Sequence, residues 1–314
     1  MAHNFDPELA QAAARGVGGW PADVATTRSS FAERFAKLPR YRSAIPLDVS
    51  ERTIPGPGGE IPIGLYAPRD RTGELPALVY FHGGGFAING VVDADNDARR
   101  IAAEVGALVI SVDYRLAPEH RFPAPLDDCY AALEWVARNC AELGTTADRI
   151  GVGGESAGGA LAAAVALRAR DQRGPAIRFL HLMIPMLDDR MATPSARAYT
   201  DTPGWCRSIG EQSWSYYLGP GVPGTADVSP YAAPARAEDL TGLPPTYLAA
   251  MQFDPMRDEQ IDFAQRLLQA EVALELHCYP GTYHGSYLTD ADVSRRIRAD
   301  AAAALRRGLG TTAG

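Results

Sequence analysis

The sequence predicts an α/β protein: a mostly parallel eight-stranded sheet flanked by helices and carrying a small helical cap. Three observations lead there. From residue 76 onward, short continuous apolar runs alternate with longer helical patterns. Such runs mark strands covered on both faces, the habit of parallel sheets. A hairpin pattern precedes them, between Leu47 and Tyr66. The composition, 46% apolar and 22% charged in 314 residues, is that of an ordinary globular chain.

Residues 5–42 read as helical pieces broken by Gly16, Gly18, Gly19, Pro21 and Pro39. Phe31, Phe35 and Leu38 recur there at helical spacing, which makes one face apolar. Leu47–Ile54 then alternates, and Pro-Gly-Pro-Gly-Gly at 55–59 turns the chain into Ile61–Tyr66, an antiparallel hairpin. Six apolar runs follow as parallel strands: 77–81, 107–112, 149–153, 178–184, 245–251 and 273–279. Helical patterns occupy 94–105, 126–143, 157–170, 258–270 and 290–308. The connection 185–244 is rich in Pro, Trp and Tyr, and connections of that length usually serve function. Its 188–220 part reads as a helical insertion, with Arg190, Arg197, Asp201, Arg207 and Glu211 among its aromatics.

Charge excludes one class of partner. Acidic residues number 38 against 30 basic ones, a net charge of −8. A nucleic-acid binder carries the opposite sign and a basic cluster. No apolar run reaches the length of a membrane span. The first residues lack a basic segment followed by an apolar one, so no signal peptide is expected and a cytoplasmic location is. The four cysteines, at 129, 140, 206 and 278, show no CxxC and no zinc-ligand spacing. They are expected to be reduced and to pack as small apolar core residues.

The strongest local signal is Gly154-Glu155-Ser156-Ala157-Gly158, a G-x-S-x-G between a predicted strand and an Ala-rich helix. A serine on so sharp a turn needs small neighbours, and the helix N-terminus favours negative charge beside it. A second signal is His82-Gly83-Gly84-Gly85 at the end of the 77–81 strand. Three glycines let backbone N–H groups face a substrate, and two of them with the Ala157 N–H can hold an oxyanion. No Lys is near enough to make this a phosphate-binding P-loop.

A serine nucleophile needs a base, and there are six histidines. His3 is terminal, His82 is placed to hold the glycine loop, and His120 lies in a Pro-rich stretch. His181 and His277 fall within strands. His284, just after the last strand, is left, in the place where open α/β sheets carry their sites. The acid should follow the 245–251 strand, where Asp254, Asp258 and Glu259 stand. Asp254 is nearest the strand end. It also suits a helix cap, and a carboxylate has two oxygens for two roles. Asp258 reads as a structural ion-pair partner. The order Ser156, Asp254, His284 is that of α/β-hydrolases.

Together, His82–Gly85, the stretch Tyr114–Pro125, Gly153–Gly159, Asp254–Glu259 and His284-Gly285 resemble the bacterial hormone-sensitive-lipase-like carboxylesterases, from about residue 45 onward. The resemblance implies an α/β-hydrolase fold and a Ser156, Asp254, His284 triad. It implies oxyanion N–H groups from Gly83, Gly84 and Ala157, and a structural Arg115 paired to Asp127 or Asp128. The division implied is an N-terminal helical cap segment at 1–45, a catalytic domain at 46–187 and 221–314, and a cap insertion at 188–220. The expected activity is hydrolysis of short-to-medium acyl esters, with a small-molecule ester as partner, a homodimer as the assembly allowed, and no metal or cofactor. A specialised deacylase or amidase is the alternative, and a non-catalytic receptor a more distant one, against which His284 stands. Two positions depart from the pattern: Glu155, where relatives carry Asp or Thr, and Ser286, where an aromatic would line the pocket wall. Trp205, Trp214, Tyr216 and Tyr217 are expected in the cap core rather than on the pocket.

Overall fold

The computed structural model describes residues 3–14, 20, 23–37, 39–71 and 73–311, apart from the side chains at 34 and 35. The expectations resting on Gly16, Gly18, Gly19, Pro21, Leu38 and the Phe35 side chain lie outside the described residues. The N-terminal helices are α1 (Pro7–Ala13) and α2 (Val24–Phe35). Asp6 caps the first by accepting the Glu8 N–H at 3.0 Å, and Pro7 occupies a position where a missing N–H is harmless.

Eight strands follow: β1 (Leu47–Gly56), β2 (Gly59–Pro68), β3 (Ala77–Phe81), β4 (Leu108–Val112), β5 (Ile150–Glu155), β6 (Phe179–Met183), β7 (Thr246–Met251) and β8 (Leu274–Tyr279). They form one sheet in the order β1-β2-β4-β3-β5-β6-β7-β8. β2 runs antiparallel to β1 and β4, and the remaining pairings are parallel. The hairpin is tighter than the sequence suggests: Gly56 pairs with Gly59, leaving only Pro57 and Gly58 in the turn. Every residue of β3, β4, β6 and β7 is buried, as continuous apolar runs require.

The helices are α3 (Asp95–Ile101), α4 (Ala124–Arg138), α5 (Cys140–Leu143), α6 (Ala157–Gln172), α7 (Pro194–Ala198), α8 (Arg207–Leu218), α9 (Arg257–Gln269) and α10 (Asp292–Leu309). Two apolar cores separate by face: α4, α6, α8 and α9 cover one, while α3 and α10 cover the other. Two single helices expected from sequence are divided. The first continues past α3 as a π-helical turn, Ala102–Gly106. The second breaks at Asn139, whose backbone leaves helical geometry at φ −114°, ψ 23° and whose side-chain amide joins its own N–H on the Trp135 carbonyl, at 2.7 and 3.0 Å.

The long 185–244 connection carries α7 and α8 and is tied down by carboxylates. Asp189 accepts the Arg236 guanidinium at 2.5 and 2.9 Å and the Gly224 N–H at 2.7 Å. Arg115 pairs with Asp128, through two side-chain bonds of 2.8 Å, while Asp127 takes Arg168 at 2.6 Å. The cysteine expectation needs correction. Cys129 and Cys206 are buried, but Cys140 is half-buried and Cys278 exposed. Cys278 lies on β8, the edge strand of the sheet among the described residues.

Candidate active site

β5 delivers Ser156 into a turn at φ +53°, ψ −118°, before α6 begins. A serine rarely takes positive φ, at a cost of about 1–3 kcal/mol. Its own backbone offsets this: the Ser156 N–H donates to Met183 O at 2.9 Å, and Ser156 O accepts from Met186 at 3.0 Å. The flanking glycines answer to space. A methyl group at Gly154 would overlap the Gly158 carbonyl, and one at Gly158 the Phe81 carbonyl. The turn therefore packs onto the end of β3, and α6 points its unpaired N–H groups past Ser156.

Asp254 follows β7 and is fully buried. Its two oxygens take two tasks. Oδ1 accepts the Met256 N–H at 2.9 Å, fixing the turn into α9, and Oδ2 lies 2.7 Å from His284 Nδ1. His284, after β8, sets its Nε2 3.0 Å from Ser156 Oγ. With Nδ1 protonated towards Asp254, Nε2 is left as the acceptor for the serine proton. Asp258 stands apart, accepting the Ser195 N–H at 2.7 Å and pairing with Arg257 at 2.8 Å, and so ties α7 to α9. Glu259 accepts the Leu187 N–H at 2.7 Å.

The other histidines lie elsewhere. His3 pairs with Asp201 at 2.9 Å, His120 is exposed, and His277 pairs with Glu275 at 2.9 Å. His181 is buried against the Tyr247 ring, and burial pushes it down to about 3. His82 lies flat on Tyr114 with ring centroids 4.3 Å apart, and burial lowers its pKa. Its Nδ1 is 2.8 Å from Gly83 O, and Tyr114 donates to His82 O at 2.7 Å. It thus holds the glycine loop.

Within that loop the three glycines differ. Gly83 packs against Glu155: a methyl group there would lie 3.2 Å from its Oε1 and from its backbone carbonyl. The N–H groups of Gly84 and Gly85 meet no acceptor among the described residues. Both glycines have positive φ, +118° and +58°, and a side chain at Gly85 would collide with Ser213, Trp20 and Trp205.

A cavity of about 600 Å³ opens above Ser156 and His284. Trp205 is one of its walls, contrary to expectation: its ring lies over His284 with centroids 5.2 Å apart and meets Trp20 edge-on at 5.6 Å. It reaches the site because it ends a Pro203–Trp205 turn whose Gly204 abuts the His284 carbonyl. Trp214 and Tyr217 are fully buried, as expected, stacked around Phe86, and Tyr216 packs half-buried on that core. Ser286 does not line the wall; it is buried beneath the turn, and Tyr287 and Leu288 stand there instead. Sequence reading missed Trp20, Ile88, Asn89 and Tyr287. No local motif marks them, because they meet only after distant segments fold together.

Known proteins bear on this arrangement. A family model described as an alpha/beta hydrolase fold matches residues 78–288. The chain is 40% identical over 246 residues to the carboxylesterase NlhH of Mycobacterium tuberculosis, covering 76% of this chain and 75% of that protein. It is 39% identical over 259 residues to the esterase LipI of the same organism, covering 81% and 79%. The structure of a bacterial heroin esterase superposes with a TM-score of 0.92 at 45% identity, covering 98% of both chains. Fold and relatives define a carboxylic ester hydrolase. The chain belongs to the α/β-hydrolase fold family, in its hormone-sensitive-lipase-like group of carboxylesterases.

Proposed function

We propose that this carboxylesterase hydrolyses short-to-medium acyl esters with Ser156 as nucleophile, His284 as base and Asp254 as the residue that orients it. The observation that carries the reading is the hydrogen-bonded line Ser156–His284–Asp254, at 3.0 and 2.7 Å, beside an open cavity. Ser156 Oγ attacks the ester carbonyl as Nε2 of His284 takes its proton. Asp254 holds the tautomer and stabilises the imidazolium. The proton passes to the leaving alcohol, and water repeats the cycle on the acyl-enzyme.

The tetrahedral oxyanion is held by backbone N–H groups. Gly84 and Ala157 are two of the three donors expected from sequence. Gly83, the third, lies against Glu155, and Gly85, next along the loop, is read as the donor in its place. One such donor is worth on the order of 3 kcal/mol in the transition state. The acyl length follows from the roof. Trp20, Phe31 and Trp205 line the cavity, and a concave site of about 600 Å³ suits a dissolved short ester better than an oil surface. The test is hydrolysis of p-nitrophenyl esters from acetate to palmitate by the native protein and Ser156→Ala. Turnover that peaks below about C8 and vanishes in the variant supports the reading. Turnover surviving in Ser156→Ala, or a peak at palmitate, overturns it.

A further inference from the structure

Glu155 is a buried acid that the reaction above does not use. It precedes the nucleophile at the end of β5 and folds back onto the glycine loop: a methyl group at Gly83 would lie 3.2 Å from its Oε1 and its Cγ. The Gly83 carbonyl meets His82 Nδ1 at 2.8 Å and Asn89 Nδ2 at 3.4 Å. One residue, Gly83, is therefore bounded by three side chains. The next two N–H groups in the chain are those left without an acceptor.

The rest of the carboxyl's surroundings do not explain it as a stabilising feature. Its Oε2 is buried with no partner among the described residues. Glu155 belongs to a wall between the large cavity and a second one of about 50 Å³, lined among others by Tyr80, Asp97, Arg100, His181, Tyr287 and Arg298. The nearby cation Arg100 is spent on Asp97, at 2.7 Å. A buried acid without an ion pair destabilises a fold, and such groups gather where function needs them.

Resting on the reading of Ser156 and the glycine loop given above, we propose that Glu155 is a positioning residue: it anchors Gly83 so that the Gly84 and Gly85 N–H groups face the carbonyl attacked by Ser156. Burial beside Asp97 lifts Glu155 to about 8. At neutral pH it is then an un-ionised acid. Its carbonyl oxygen accepts the Gly83 N–H, its O–H faces the small cavity, and no negative charge stands beside the developing oxyanion.

Glutamine keeps the accepting oxygen and the shape; methionine keeps the shape alone. The test is kcat and KM on p-nitrophenyl butyrate at pH 7 for Glu155→Gln and Glu155→Met, with thermal melting of each and Ser156→Ala as control. Glu155→Met should lose roughly 100-fold in kcat with KM changed less than about threefold, the size of losing one oxyanion donor. Glu155→Gln should recover kcat to within about fivefold of native. Should Glu155→Met fail to fold, Glu155→Ala carries the same expectation. Full kcat in the methionine variant, or an equal loss in the glutamine one, overturns the proposal. Turnover in Ser156→Ala would instead overturn the triad reading on which it rests.

Discussion

The floor of the cavity is backbone, packed so closely that Gly154, Gly158 and Gly159 leave no room for a methyl group, whereas its roof is aromatic side chain brought in by Trp20, Phe31 and Trp205. The floor is held by contacts between main-chain atoms of β3, β5 and α6, which cannot adjust without moving the sheet. The roof rests on edge-on ring contacts such as Trp20 with Trp205 at 5.6 Å and 87°. Rings of this kind can be exchanged for other apolar groups at modest cost. The contrast assigns chemistry to the rigid half and choice of substrate to the replaceable half.

Changes to the floor should be severe and indifferent to substrate. Asp254→Asn should lower kcat by about 10⁴-fold on every ester, since the amide favours the wrong imidazole tautomer. Asp258→Asn, four residues on, should leave kcat nearly native and lower stability by about 1 kcal/mol through its bonds to Ser195 and Arg257. Steady-state kinetics at matched folded fraction check the ranking, and the reverse order would break the assignment. Gly158→Ala should cost about 3 kcal/mol or more by overpacking against Phe81, read by thermal or urea melting.

Changes to the roof should be milder and depend on substrate. Trp205→Leu removes the ring over His284 and should raise the kcat/KM ratio of p-nitrophenyl laurate to butyrate by about tenfold, a little over 1 kcal/mol of discrimination. A uniform fall across chain lengths would place Trp205 with the floor instead.

A further effect concerns pH. Glu155 rises from its ordinary 4.5 to about 8 in the fold, by burial first and then by Asp97. Between those values the folded state binds more protons than the unfolded chain, so this group makes stability fall as pH rises, most favourable below about 4.5 and least above about 8. Asp97, also raised by burial, acts in the same direction. Glu155→Gln should therefore melt higher than native protein at pH 9 and differ little at pH 5. Equal differences at both would mean that Glu155 does not change its ionisation between them.

The same contrast explains what sequence could reveal. The floor was legible because its geometry demands particular residues in a row: glycines around Ser156, glycines after His82, an acid and a histidine after successive strands. The alternation of apolar runs and helices likewise made the sheet legible, since burial on both faces leaves that pattern. The roof left no such trace. Trp20 and Trp205 are far apart in the chain, and nothing local distinguishes Trp205, over the histidine, from Trp214, sealed in the core. The role of Gly83 was hidden for a similar reason. Gly83 meets Glu155, which stands more than 70 residues later in the chain. Asn139 shows the limit of periodicity: one residue with non-helical backbone divides a helix that the apolar pattern continues.

The most direct test of the central claim is covalent capture. Diethyl p-nitrophenyl phosphate transfers its phosphoryl group to an activated serine, releasing p-nitrophenolate, and peptide mass spectrometry locates the adduct. A single adduct on Ser156, absent from Ser156→Ala and much slower to form in Asp254→Asn, is the predicted result. An adduct on another residue, or labelling of Asp254→Asn at the native rate, would contradict the account.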